Sequence, residues 1–293
     1  MQTEDVPVAG GSMRVLRFGD GPNLIVAAHG ITASGMAFAA VGRNLPPGWT
    51  LLAPDLRGRG GSSELPGPYG FDQHVEDVHA VVQHFGGGPV VLAGHSMGAY
   101  IALLAAAARP ELVQRLVLID GGVSRPVPPG VDVDDVLALT IGPALARLSM
   151  TFAAEEAYLD FFRAHPALGP YWNDDIEAYV RYDLTGVKGS MRSKAREDPV
   201  RYDGRDLLGK AEALGKAARE LTVPTLLLAA PTGMMGQPPG FLPWELVQEW
   251  LPEAPAARAE LVDDANHYTI LLAPAPAALV AKRLTDPSSW PSA

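Results

Sequence analysis

The chain has 293 residues, 47% hydrophobic and 19% charged, which is ample for a sizeable core and unlike a disordered chain. A net charge of −10 with no long Lys/Arg run excludes the usual signature of a nucleic-acid or acidic-membrane partner. The lack of cysteine excludes disulfides, thiolate metal sites and a Cys nucleophile together. The acidic residues 1–5 lack the apolar core of a signal peptide, and no stretch nears the roughly 18 apolar residues of a membrane span. A cytoplasmic protein without membrane contact, with no metal and no cofactor, is therefore expected.

In chain order, residues 13–18 alternate weakly and read as an early strand, closed by the turn cluster Gly19-Asp20-Gly21-Pro22. Strands and helices then alternate: strand 24–28, helix 34–44, strand 50–53, helix 71–85, strand 89–93, helix 97–108 and strand 115–119. These strands are continuous apolar runs, which a parallel sheet covered on both faces requires. The rhythm breaks in the Pro-rich stretch 123–130. Beyond it only helical stretches are read, near 132–150, 153–164, 173–183 and 205–220, before strands resume at 223–230 and 259–262. The prediction is an α/β fold: a mostly parallel central sheet with helices on both faces, its core split into 1–123 and 222–293. The segment 124–221 is predicted to be an inserted helical cap, because the chain leaves and re-enters one sheet.

The most informative segment is Gly94-His95-Ser96-Met97-Gly98, a Gly-x-Ser-x-Gly between a predicted strand and a predicted helix. That context makes Ser96 a candidate nucleophile: glycines relieve crowding at a sharp turn, and helix N–H groups face any developing oxyanion. Three more motifs follow in order. His29-Gly30 ends the apolar run 24–28, Asp55-Leu56-Arg57-Gly58-Arg59-Gly60-Gly61-Ser62 follows 51–54, and Asn266-His267 follows 259–262. On these motifs the chain resembles the α/β-hydrolase superfamily over most of its length.

The resemblance implies that His267 is the general base and that His29 orders an oxyanion turn. It also implies backbone donors from Ile31 and Met97, and a structural role for Asp55 and Arg57, paired with each other and with loop backbone. His74, His79 and His84, spaced by five on one predicted helix, lie about 140° apart and share no face, so they read as solvated or capping residues. The acid departs from the common pattern, since 229–236 after the strand following the cap holds no carboxylate. Some relatives place the acid after the strand preceding the cap, and here that residue is Asp120, followed by Gly121-Gly122. Asp263, Asp264 or no acid at all are the alternatives. Substrate-pocket candidates are His29, Phe152, Phe161, Phe162, Trp172, Met234 and Met235, as apolar small-molecule sites are lined by such side chains.

The expected activity is cleavage of a carboxylic ester or lactone of a small hydrophobic molecule through an acyl-enzyme on Ser96. One alternative is a C–C hydrolase of ring-cleavage diketone acids, for which Arg192 and Arg196 are candidate carboxylate partners. The other is a catalytically silent small-molecule-binding protein, supported by the missing acid at 229–236.

Overall fold

A computed structural model describes residues 1–123 and 130–290. Eight strands form one sheet: β1 (Gln2–Val8), β2 (Gly11–Gly19), β3 (Asn23–Ala28), β4 (Trp49–Pro54), β5 (Val90–His95), β6 (Val113–Ile119), β9 (Thr225–Ala229) and β10 (Ala257–Leu261). Their order is β1-β2-β4-β3-β5-β6-β9-β10, with β1 and β2 antiparallel to their neighbours and the rest parallel. Neighbouring residues of one strand feed opposite faces: Leu92 of β5 and Leu227 of β9 join one buried cluster, Val91 and Leu226 the other. Both faces are covered, which is why these strands are apolar throughout.

The first face carries α2 (Phe71–His84) and α3 (Met97–Ala108); the second carries α1 (Ala39–Arg43). β1 escaped sequence reading because it is an edge strand: only Val6 of its seven residues is buried, so charges and a proline are tolerated along it.

Between β6 and β9 come α4 (Val133–Leu148), α5 (Glu155–Arg163), α6 (Asp174–Asp183), the hairpin β7 (Leu184–Val187) with β8 (Ser190–Ser193), α7 (Glu197–Gly209) and α8 (Ala211–Glu220). Residues 124–129, where the cap was predicted to begin, lie outside the described residues, as do 291–293. The antiparallel hairpin was not expected; its four-residue strands are too short to show alternation. Within α4, Ile141 is non-helical (φ −128°, ψ 15°) two residues before Pro143, whose ring excludes a straight helix. α8 packs against α3 on the sheet's face. The chain closes with α9 (Trp244–Trp250) on the first face and α10 (Thr269–Leu272) and α11 (Pro274–Thr285) on the second.

Two of the three spaced histidines are not solvated. His74 is buried with Nε2 3.0 Å from an oxygen of Asp203, and His79 is buried with Nε2 3.0 Å from the Ala105 carbonyl. α2 packs against α3 and the sheet, and Asp203 of α7 reaches its first turn, so both histidines are interior. Only His84 reaches the surface, where it meets Glu4.

Among the described residues no helix is long and apolar enough to cross a membrane.

Candidate active site

β5 ends at His95 and α3 begins at Met97, leaving Ser96 alone in the turn with φ 54° and ψ −122°. This is a left-handed, strained backbone that the surroundings must enforce. The two flanking glycines explain how. A Cβ on Gly94 would lie 2.0 Å from the Gly98 carbonyl oxygen, and a Cβ on Gly98 would lie 2.0 Å from that of Ala28. Ser96 N–H is meanwhile held by the Ile119 carbonyl at 3.0 Å. Met97 opens α3, so its own N–H has no carbonyl a turn behind it within the helix.

Ser96 Oγ lies 3.0 Å from Nε2 of His267, and Nδ1 of His267 lies 2.7 Å from Oδ2 of Asp120. All three are buried. An ionised carboxylate only accepts, so Nδ1 carries the proton and Nε2 presents its lone pair to the serine hydroxyl. Asp120 is fixed from behind: its Oδ1 accepts from Ala230 N–H at 3.1 Å, and its own N–H donates to Leu228 at 2.7 Å. His267 sits on a loop tied by Asn266, whose side chain accepts from the N–H groups of Tyr268 and Thr269 and donates to the Ala167 carbonyl, in the segment between β6 and β9. His95 Nε2 donates to the His267 carbonyl at 2.7 Å, joining the turn of Ser96 to that loop.

The turn after β3 lies over the serine: a Cβ on Gly30 would fall 3.7 Å from Ser96 Oγ. His29 is fully buried behind it. Its Nδ1 donates to the Gly30 carbonyl at 2.7 Å while Nε2 accepts from Leu56 N–H at 3.0 Å. In a planar trans peptide the C=O and N–H point opposite ways, so anchoring the Gly30 carbonyl outward aims Ile31 N–H inward. Burial holds the His29 ring neutral, its pKa lowered to about 3.

Above the serine is a mostly apolar cavity of about 50 Å³, with Ile31, Met97, Phe241, Leu271 and Leu272 in its walls. A second of about 180 Å³ extends among the helices between β6 and β9. Thr32, Ile141, Ala144, Tyr179, Met234 and Tyr268 line both, so the two are chambers of one site. Both are below the roughly 300–1,000 Å³ of drug-sized pockets. Arg147 reaches the second chamber but is matched there by Asp183, 2.8 Å away, and by the Tyr158 hydroxyl. Burial pushes the Tyr268 phenol up to about 12, so it faces the site protonated at neutral pH.

The model of the alpha/beta hydrolase fold family matches residues 23–274. The chain belongs to that family. It is 28% identical over 222 residues to 2-(acetamidomethylene)succinate hydrolase of Mesorhizobium japonicum, a match covering 74% of this chain and 73% of that protein. It is 38% identical to lipase LipV of Mycobacterium tuberculosis, over 113 residues that span 38% of this chain and 42% of the lipase, less than half of its length. A crystal structure of E-2-(acetamidomethylene)succinate hydrolase superposes with TM-score 0.80 over 97% of this chain and 99% of that one, at 22% identity, a likeness of fold.

Of the pocket candidates, Phe161, Phe162, Met234 and Met235 line the second chamber, Met234 both. Three do not. His29 is sealed behind its own turn by the two hydrogen bonds above. Phe152 packs edge-on against Tyr158 and Phe161 of α5. Trp172 stacks on Arg163 and donates Nε1 to Glu177. Asp263 and Asp264 are exposed. Asp55 and Arg57 are structural but do not pair with each other. Asp55 accepts from Gly35, Gly61 and the Tyr182 hydroxyl, while Arg57 grips Asp77. Sequence reasoning missed Ile141, Ala144, Tyr179 and Tyr268. Only Tyr268 carried a signal, being next to His267; the others depend on how the cap folds over the sheet.

Proposed function

We propose that this chain is a serine hydrolase that cleaves a carboxylic ester or lactone of a small hydrophobic molecule. The observation that carries the reading is the buried line from Ser96 Oγ through His267 to Asp120 at the floor of an apolar chamber. His267 Nε2 takes the hydroxyl proton as Oγ attacks the carbonyl carbon, and Asp120 stabilises the imidazolium without taking a proton itself. The N–H groups of Met97 and Ile31 receive the oxyanion. His267 then returns the proton to the leaving alkoxide, and a water activated by the same ring cleaves the acyl-enzyme. Asp120 beside His267 also supports this reading over a silent binding protein, whose argument was the missing acid at 229–236.

A fluorophosphonate probe should add one label by intact mass, and p-nitrophenyl acetate and butyrate should be turned over. Labelling and turnover surviving in Ser96→Ala would refute the reading.

The second reading, hydrolysis of an acidic amide or diketone, is favoured by Arg147 in the second chamber and by the succinate derivative named for the relative above. Arg192 is exposed on β8, and Arg196 turns to the Ser63 carbonyl, so neither serves it. The Arg147–Asp183 pairing balances the charge there, which supports a neutral substrate first. Faster turnover of acidic amides or diketones than of neutral esters would reverse that order.

A further inference from the structure

The turn that carries Ile31 is gripped from the cap as well as from the core. Arg59 is fully buried, and its Nε donates to the Ile31 carbonyl at 2.9 Å while Nη1 meets Asp203 at 2.5 Å. Nη1 also donates to the Arg57 carbonyl at 2.7 Å. Asp203 belongs to α7, in the inserted segment, whereas Arg59 and Ile31 belong to loops of the core. Asp203 is itself fully buried. Its Oδ1 accepts from Gly70 N–H at 2.8 Å and its Oδ2 lies 3.0 Å from His74 Nε2.

We infer that Asp203, acting through Arg59, is a positioning residue for the oxyanion donor Ile31 N–H. The inference rests on the acyl-transfer reading above. The physical argument concerns two successive peptide units. His29 fixes the Gly30–Ile31 unit by its carbonyl, and Arg59 fixes the Ile31–Thr32 unit by the next one. With both held, φ and ψ of Ile31 are determined and its N–H has one direction. Arg59 alone could not do this. A guanidinium held only at Nε can pivot about its stem; here Nη1, held by the Asp203 carboxylate together with the Arg57 carbonyl, fixes its plane, and Asp203 supplies the charged part of that second anchor. The ion pair is dry, so its geometry is not loosened by water. Burial alone would raise the Asp203 carboxyl, but the Arg59 charge and His74 outweigh it and hold its pKa down to about 2. The cap therefore does more than wall the chamber. Its docking aligns part of the oxyanion hole, and α7 is the element that transmits it.

Asp206, one turn further along α7, provides the control. It accepts from Phe71 N–H at 2.8 Å and so also seats the same helix on α2, through a contact that does not run by way of Arg59. The assay is steady-state hydrolysis of p-nitrophenyl acetate, too small to need the second chamber, per folded molecule. Asp203→Asn keeps an acceptor for Gly70 but drops the charge that orients Arg59. Arg59→Lys keeps a cation for Asp203 and loses the Nε donor to Ile31, so it tests the same link if Asp203→Asn does not fold. Removing an oxyanion donor outright costs about 10²–10³ in kcat, so misaiming one should cost roughly ten- to a hundred-fold. That loss is expected in both variants with KM within about twofold, and Asp206→Asn should keep its kcat on acetate. A loss confined to long-chain esters, or none in Arg59→Lys, would overturn the inference and leave the hydrolase reading standing. A wild-type protein inert to every ester would overturn both.

Discussion

Replacing Asp120 by Asn tests the site most severely, because the structure dictates which way the amide must face. Oδ1 of Asp120 accepts from Ala230 N–H, so the new amide keeps its oxygen there and turns its NH₂ group to His267 Nδ1. A donor at that position forces Nδ1 to accept, which moves the imidazole proton to Nε2, facing Ser96 Oγ. The ring is then the wrong tautomer to act as base. The same substitution in a serine protease lowers kcat by about 10⁴, or about 5.5 kcal/mol at 1.36 kcal/mol per tenfold. Side-chain volume is unchanged, so the fold should persist, and near-UV circular dichroism would report it. The measurement is p-nitrophenyl butyrate turnover per folded molecule for Asp120→Asn, with Asp263→Asn and Asp264→Asn as controls expected within about twofold of wild type. A loss below tenfold for Asp120→Asn, or a large loss in either control, would refute the assignment.

Acid sensitivity should trace to His29. Its folded pKa of about 3 lies below the ordinary 6.5, so its contribution to stability is fully present above pH 6.5 and is lost as pH falls towards 3. That span corresponds to about 5 kcal/mol; urea midpoints between pH 7 and 4 should fall less steeply in His29→Asn than in wild type, and equal slopes would reject the idea. Ala144 lines both chambers, so Ala144→Trp should block the passage between them. Turnover of acetate should survive and that of octanoate collapse; an unchanged chain-length profile would show that the acyl chain goes elsewhere.

Much of this was legible because it is local. The strand–Ser–helix turn is dictated by Gly94 and Gly98 within five residues, and His267 follows the last strand in the order such sites require. Asp120 could be singled out, with Asp263 and Asp264 as alternatives, because 229–236 holds no carboxylate. What was not legible depends on contacts between distant segments. Arg59 and Asp203 are 144 positions apart and carry no mark of partnership in sequence. Phe152 and Trp172 are aromatic like the residues that do line the chamber, and only the fold of the cap decides which rings turn inward. The kink at Ile141 could have been anticipated from Pro143, but not that it would present Ile141 and Ala144 to the site.

The position of Asp120 follows from strand order. β6 lies between β5 and β9, so a residue leaving its carboxyl end stands beside both the serine turn and the end of β9. Asp120 has φ 45°, and the Gly121 that follows is pressed against the serine: a Cβ there would meet Ser96 O at 2.3 Å. That packing leaves the Asp120 side chain directed across the end of β9, where one oxygen accepts from Ala230 N–H and the other from His267 Nδ1. The end of β9 thus supplies a hydrogen-bond donor to the acid instead of the acid itself. Beyond it, Thr232 donates its hydroxyl to the Ala265 carbonyl, linking this loop to the one that carries His267. A carboxylate added at 232 would remove that link and place a second negative charge near Asp120. In this chain the loop after β9 is neutral and holds the histidine's loop by a hydroxyl, while the carboxylate that meets His267 comes from the end of β6, one strand closer to Ser96.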